Sequence, residues 1–284
     1  MDGPTLAGLI QDLPYAWPPI LCGALAGALL GTLGVYVVLR RMVFVSAAVS
    51  EAAGFGVVLA FAAQAFLGVP AYLADPLLGA AVVALLASRL FVADPARLHL
   101  TRESILGLVF VLSGAAALLL GSRIPQETHD IQHVLFGTAV MVRWTDLGAV
   151  SAVAVLLLSL HTWSRRGLAL AIFDPEGAAV QGLPVRALDI ALFLAIGLAV
   201  AVTTHAIGAL PVFALTVLPA VAALALVRRL VHALWLAGAL GLVSGAAGYV
   251  AAYLLALPVG ASQAGVAGLL ALGGMAVGSL RREC

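Results

Sequence analysis

Residues 188–227 read LDIALFLAIGLAVAVTTHAIGALPVFALTVLPAVAALALV, and the only charged side chain in the stretch is Asp189. A helix of about 20 apolar residues, rising ~1.5 Å per residue, crosses the ~30 Å hydrocarbon core of a bilayer. The stretch therefore holds two spans, over about 188–206 and 209–227. A soluble helix keeps a polar face toward water, and neither half has one.

The pattern recurs on both sides. Further apolar runs of similar length lie at about 18–39, 43–64, 71–92, 103–121, 146–163, 232–255 and 262–280. Between 122 and 145 the chain is first polar, Ser122–His133, and then apolar but too short to cross, Val134–Val142. That piece is read as a re-entrant or interfacial turn around Gly137, so about nine spans are expected, with eight to ten open. Composition agrees: 63% of the 284 residues are apolar and 10% are charged, against about 25% charged in a soluble domain. Fourteen basic and 13 acidic side chains cannot cover a water-facing surface of this size. The chain is expected to form one transmembrane domain over residues 1–284, in contact with membrane lipid.

The same counts exclude other classes. A net charge of +1 with dispersed arginines offers no patch for nucleic acid. Cys22 and Cys284 alone give neither a disulfide framework nor a cysteine zinc site. Residues 1–17 carry no basic residue, so the first apolar run lacks the n-region of a cleavable signal and is expected to stay as a span.

All 14 basic residues are arginine. Nine spans with the N-terminus outside put Arg40, Arg41, Arg89, Arg97, Arg102, Arg165, Arg166, Arg186, Arg228, Arg229, Arg281 and Arg282 on one side. Arg123 and Arg143 fall on the other. Cytoplasmic loops hold the excess of arginine, so the C-terminus is expected in the cytoplasm. The fold class is thus an all-α, polytopic membrane helix bundle. Gly23, Gly27 and Gly31, and later Gly241, Gly245 and Gly248, form small-residue faces suited to close helix packing. Pro219 interrupts the seventh span and is expected to kink it or free a carbonyl.

The few polar residues stand out against this background. Glu51 is the one carboxylate placed deep in a span. Ten residues beyond Arg41, it lies about 15 Å from the inner boundary, and an ionisable group there is a functional candidate or a protonated group bonded to a neighbouring helix. Ser113, Thr216 and Ser244 fall at similar depths and are candidates to line a path, though hydroxyls also bond back to their own helix. On the outer side His129 and His133, with Glu127 and Asp130, form a possible cation-attracting pair. His205 ends its span roughly 28 Å from Arg186, too far in depth from Glu51 to share a metal unless a helix is broken. His99, His161 and His232 fall at the inner span ends, where solvation is expected. The inner loop 164–187 contains a short helix signal: Asp174 as cap, Pro175 at the first helical position, Glu176 in the first turn, and Gly182 before Pro184 as the stop. Such a helix is either filler or a docking element.

Taken in order, several stretches resemble the permease subunits of bacterial metal-ion ABC importers, the ABC-3 family handling zinc, manganese or iron. They are Leu33–Met42, Glu103–Gly107 with Leu135–Gly137, Gly182–Arg186, Gly208–Ala220 and Leu257–Gly260, and together they reach from about residue 20 to 280. The resemblance implies a permease dimer, identical or paralogous, in the bacterial plasma (inner) membrane. An extracytoplasmic metal-binding protein would deliver the divalent ion, and ABC ATPase subunits would drive alternating access with ATP. The chain has no Gly-x-x-x-x-Gly-Lys-Ser/Thr motif and no lysine, so it cannot be the P-loop subunit; no enzyme activity and no cofactor are expected in this chain, with ATP on the partner subunit. The resemblance makes Asp174–Gln181 the coupling helix. It also exposes a departure: where the family reads Gly-Asp-x-x-x-His, this chain reads Ser46-Ala47-Ala48-Val49-Ser50-Glu51. One path-lining ligand is missing at Ala47, and Glu51 replaces imidazole with carboxylate. Oxygen ligands suit manganese better than imidazole does, so zinc selectivity is not expected to carry over unchanged. A transporter or channel driven by an ion gradient, with Glu51 as its ion or proton site, is the alternative reading.

Overall fold

In a bilayer every backbone N–H and C=O must be satisfied within the chain, so the apolar runs fold as helices. The computed structural model describes residues 13–70, 72–92, 101–124 and 142–283. They form α1 (Leu13–Leu39), α2 (Phe44–Leu67), α3 (Pro76–Val92), α4 (Arg102–Gly121), α5 (Trp144–Phe173), α6 (Pro175–Val180), α7 (Val185–Ile207), α8 (Ala209–Leu226), α9 (Leu230–Leu255) and α10 (Val259–Glu283). Eight of these are long and apolar enough to cross a membrane; α3, at 17 residues, is shorter and packs between α2 and α7. The expected all-α bundle is therefore the observed one.

Glycine sets the closest packing. A Cβ on Gly27 of α1 would lie 2.1 Å from the carbonyl oxygen of Gly241 on α9, and one on Gly241 would lie 2.0 Å from that of Gly27. No side chain fits there, so the two backbones touch along the small-residue faces that the sequence displays. Beside this seam Gln263 of α10 is fully buried and donates to the Gly245 carbonyl at 3.1 Å. Pro219 lies inside α8 without ending it, buried against the α1 side.

Cross-helix contacts fix the two ends of the bundle. Arg40 at the end of α1 pairs with Asp189 near the start of α7, while His205 in the last turn of α7 faces Asp146 in the first turn of α5. Near its start α10 meets Gly23 of α1, and near its end Gly278 meets Ala225 of α8. One end therefore collects Arg40, Arg41, Arg186, Arg228, Arg229 and Arg281, and the opposite end holds Arg143.

Three boundaries differ from the expected ones. The first helix begins at Leu13, with Pro18 and Pro19 inside it, rather than at 18. The third begins at Pro76, not 71, because Asp75 accepts from the amides of Leu77 and Leu78 at 2.8 and 3.2 Å and so starts the helix there. The largest difference is in α5, which does not stop near 163 but runs unbroken to Phe173. Arg165 and Arg166 mark where side chains meet water, not where the helix ends, since Leu168 and Ala171 beyond them are buried. The turn expected around Gly137 lies outside the described residues.

Candidate functional site

Alanine, glycine and serine make α2 slim enough to be enclosed: Ser46, Ala47, Ala48, Ser50, Ala52, Ala53 and Gly54 are all buried. Glu51 breaks this run as a half-buried residue, and Phe55 and Leu59, four and eight residues on, share its more open face. That face meets α4. A Cβ on Gly114 of α4 would lie 3.3 Å from Glu51 Oε2, so the carboxylate rests on bare α4 backbone. It has no hydrogen bond or ion pair to any described residue. Helix α4 itself is the least enclosed of the candidate spans, with Leu108, Val111, Leu112, Leu118 and Leu119 exposed. Glu51 thus lies at a seam on the edge of the bundle, near a helix face that lipid or another chain must cover.

The hydroxyl candidates separate. Ser113, next to Gly114 on α4, is buried at the level of the Glu51 carboxylate. Thr216 and Ser244 are fully buried and turn back on their own helices, donating to the Val212 and Leu240 carbonyls at 2.7 Å each. Both hydroxyl donors are spent within their helices.

At the opposite end from the arginines, His205 Nε2 lies 3.8 Å from Asp146 Oδ1. The other Asp146 oxygen accepts from the Arg143 amide at 2.9 Å, which fixes the carboxylate at the start of α5. Nothing local in the sequence marks Asp146 as a partner of His205, because the two stand on different helices far apart in the chain. Among the described residues no three of His, Cys, Asp and Glu stand together as a metal site, so Glu51 and His205 are not joined in one. His129 and His133 lie outside the described residues. His161 is not solvated as expected: it is 7% exposed, with Nε2 3.3 Å from the Tyr36 hydroxyl, because α5 carries it past α1 before leaving the bundle.

The short helix is present as α6. Asp174 Oδ1 accepts from the Gly177 amide at 2.9 Å, Pro175 opens the helix, Glu176 sits in its first turn, and Gly182 ends the turn at φ +79°. That left-handed backbone is what glycine tolerates without strain. Only Ala178 of α6 is buried, while Val180 is 88% exposed beside exposed Phe173 and Glu176.

The sequence pattern of the ABC 3 transport family matches residues 13–278. The chain belongs to the ABC 3 transport family. Among relatives of this ABC 3 chain, the manganese transport system membrane protein MntC of Halalkalibacterium halodurans is 27% identical over 248 residues, covering 87% of this chain and 82% of the relative. The chelated iron transport system membrane protein YfeD of Yersinia pestis is 29% identical over 227 residues, covering 78% and 73%. The fold matches a chain of PsaBC from Streptococcus pneumoniae, solved in complex with Fab, with a TM-score of 0.82, 22% identity and 95% of each chain covered. The family match reaches into all eight candidate spans among the described residues, so this ABC 3 chain is a multi-pass membrane protein.

Proposed function

We propose that this chain is the permease subunit of an ATP-driven bacterial inner-membrane importer of divalent metal ions, manganese or iron(II) ahead of zinc. The observation that carries the reading is the Glu51 carboxylate, held at the α2–α4 seam of an ABC 3 chain with no partner among the described residues. An unpaired carboxylate within a span costs free energy that packing alone does not return, and a path for cations gives it a use. Relatives named for manganese and chelated iron support the choice of ion, as does the oxygen donor itself, which suits hard ions better than imidazole.

Two permease copies would enclose the path, with the open α2–α4 face of each turned toward it. The arginine-rich end faces the cytoplasm in this reading, following the positive-inside rule. There the exposed side of α6, with Val180 and Glu176, docks on the ATPase together with Phe173 at the end of α5, and Asp174 and Gly182 fix the ends of α6. The opposite end, with Asp146 and His205, faces the metal-binding protein. Alternating access then carries the ion past Glu51 without the chain hydrolysing ATP itself.

The test is reconstitution in liposomes with the cognate ATPase and metal-loaded binding protein. ATP hydrolysis stimulated by the loaded binding protein supports the assignment. Metal flux through the permease alone, driven by an ion gradient and indifferent to ATP, assigns it to the secondary transporters.

A further inference from the structure

A second feature lies away from Glu51. One stripe of α5, with Leu158, His161 and Arg165, faces one stripe of α9, with Leu234, Trp235 and Leu242, across an open groove of about 330 Å³ floored by Thr32 of α1. The wall is apolar over most of its length. No acidic side chain lines it.

Its depth in the bundle follows from contacts already described. His161 is level with Tyr36, and the residue one helical turn further on each helix is Arg165 and Arg40, about 6 Å nearer the arginine-rich end. Helix α9 runs the other way and enters directly after Arg228 and Arg229, just before Val231 on the groove wall. From Val231 to Leu242 the wall rises about 16 Å, which is close to half of a ~30 Å hydrocarbon core, the depth of one leaflet. Trp163 and Trp235, 85% and 70% exposed, sit near the basic mouth, where indole rings favour the headgroup boundary.

The mouth has unspent polar capacity. Arg165, Arg228 and Arg229 are exposed and form no ion pair among the described residues. His161 is 93% buried, being 7% exposed, and its Nδ1 has no hydrogen-bond partner among the described residues. An apolar slot one leaflet deep, with free cations at its headgroup end, matches one kind of molecule.

We propose that the groove between α1, α5 and α9 binds an anionic phospholipid of the leaflet at the arginine-rich end, with its phosphate at Arg165 and one acyl chain along Leu234, Trp235 and Leu242. Basic pockets between membrane helices hold anionic headgroups through charge-assisted hydrogen bonds. The assignment does not depend on which ion the permease moves.

The test is native mass spectrometry of the delipidated permease, titrated separately with phosphatidylglycerol and phosphatidylcholine. The wild type retains phosphatidylglycerol more tightly than phosphatidylcholine. Arg165→Gln lowers phosphatidylglycerol retention about tenfold, the scale of a lost charge-assisted bond, and leaves phosphatidylcholine unchanged. Ala239→Trp, at an exposed position on the groove wall, fills the slot and lowers both. Equal retention of the two lipids, or indifference to Arg165→Gln, overturns the proposal. So does an Ala239→Trp variant that changes oligomeric mass with its lipid count intact, which makes the groove a contact between copies.

Discussion

The carboxylate of Glu51 rests against Gly114, so near that a Cβ on the glycine would come within 3.3 Å of Oε2. Two helices meet there with a charge-capable group between them and a glycine opposite it. The bare backbone of α4 gives the carboxylate room.

The first prediction concerns selectivity. Glu51→His exchanges an oxygen donor for a nitrogen donor and is expected to shift competition from manganese toward zinc, because imidazole suits zinc better than carboxylate does. Uptake of one radiolabelled metal in the presence of the other measures the ratio. An unchanged ratio removes Glu51 from the set that reads the ion.

Steric room at the seam can be probed from the other side. Gly114→Val places branched carbons against the carboxylate and is expected to lower transport several-fold with little change in thermal stability, since α4 is otherwise loosely enclosed. Transport rate and unfolding temperature in detergent, measured on the same preparation, separate the two effects. A large drop in unfolding temperature would mark Gly114 as a packing residue.

The α1–α9 seam makes a contrasting case. Gly27→Ala puts a Cβ where only 2.1 Å is available to the Gly241 carbonyl, so the helices must part, at a cost of about 2 kcal/mol or more. Gly148→Ala on α5 meets nothing within 4 Å and is expected to be neutral or slightly stabilising, by at most ~1 kcal/mol. Thermal unfolding should therefore fall clearly for Gly27→Ala and stay level or rise slightly for Gly148→Ala.

Much of this was readable from the chain, for identifiable reasons. The span 209–227 became Ala209–Leu226 because an unbroken apolar run of bilayer length leaves a helix as the only choice. Glu51 stood out because nothing else in the deep segments carries a charge. The overrun of α5 was hidden because Arg165-Arg166 signals contact with water, and a helix can continue through water if its far side stays packed, as Leu168 and Ala171 do. Pairings such as Asp146 with His205 and Tyr36 with His161 join positions far apart in sequence, and no local pattern announces them.

The exposed face of α6 yields a prediction about coupling. Val180→Asp adds a charge at a position 88% exposed and is expected to weaken copurification of the ATPase while leaving the permease folded. Asp174→Ala removes the cap bonded to Gly177 and destabilises α6 by ~1 kcal/mol, with a milder loss of coupling. Deleting residues 174–181 should detach the ATPase altogether. Normal copurification after that deletion would show that the ATPase docks elsewhere.

The most direct measurement is ATP-dependent uptake of radiolabelled manganese into proteoliposomes holding the permease, its ATPase and the binding protein, compared between the wild type and Glu51→Gln. The glutamine keeps the size of the side chain and removes its charge. Uptake by the wild type that requires ATP, and at least a tenfold loss in Glu51→Gln with the complex still assembled, is the predicted result. Equal uptake by the two proteins, or none by either while ATP is hydrolysed without regard to metal, would contradict the account.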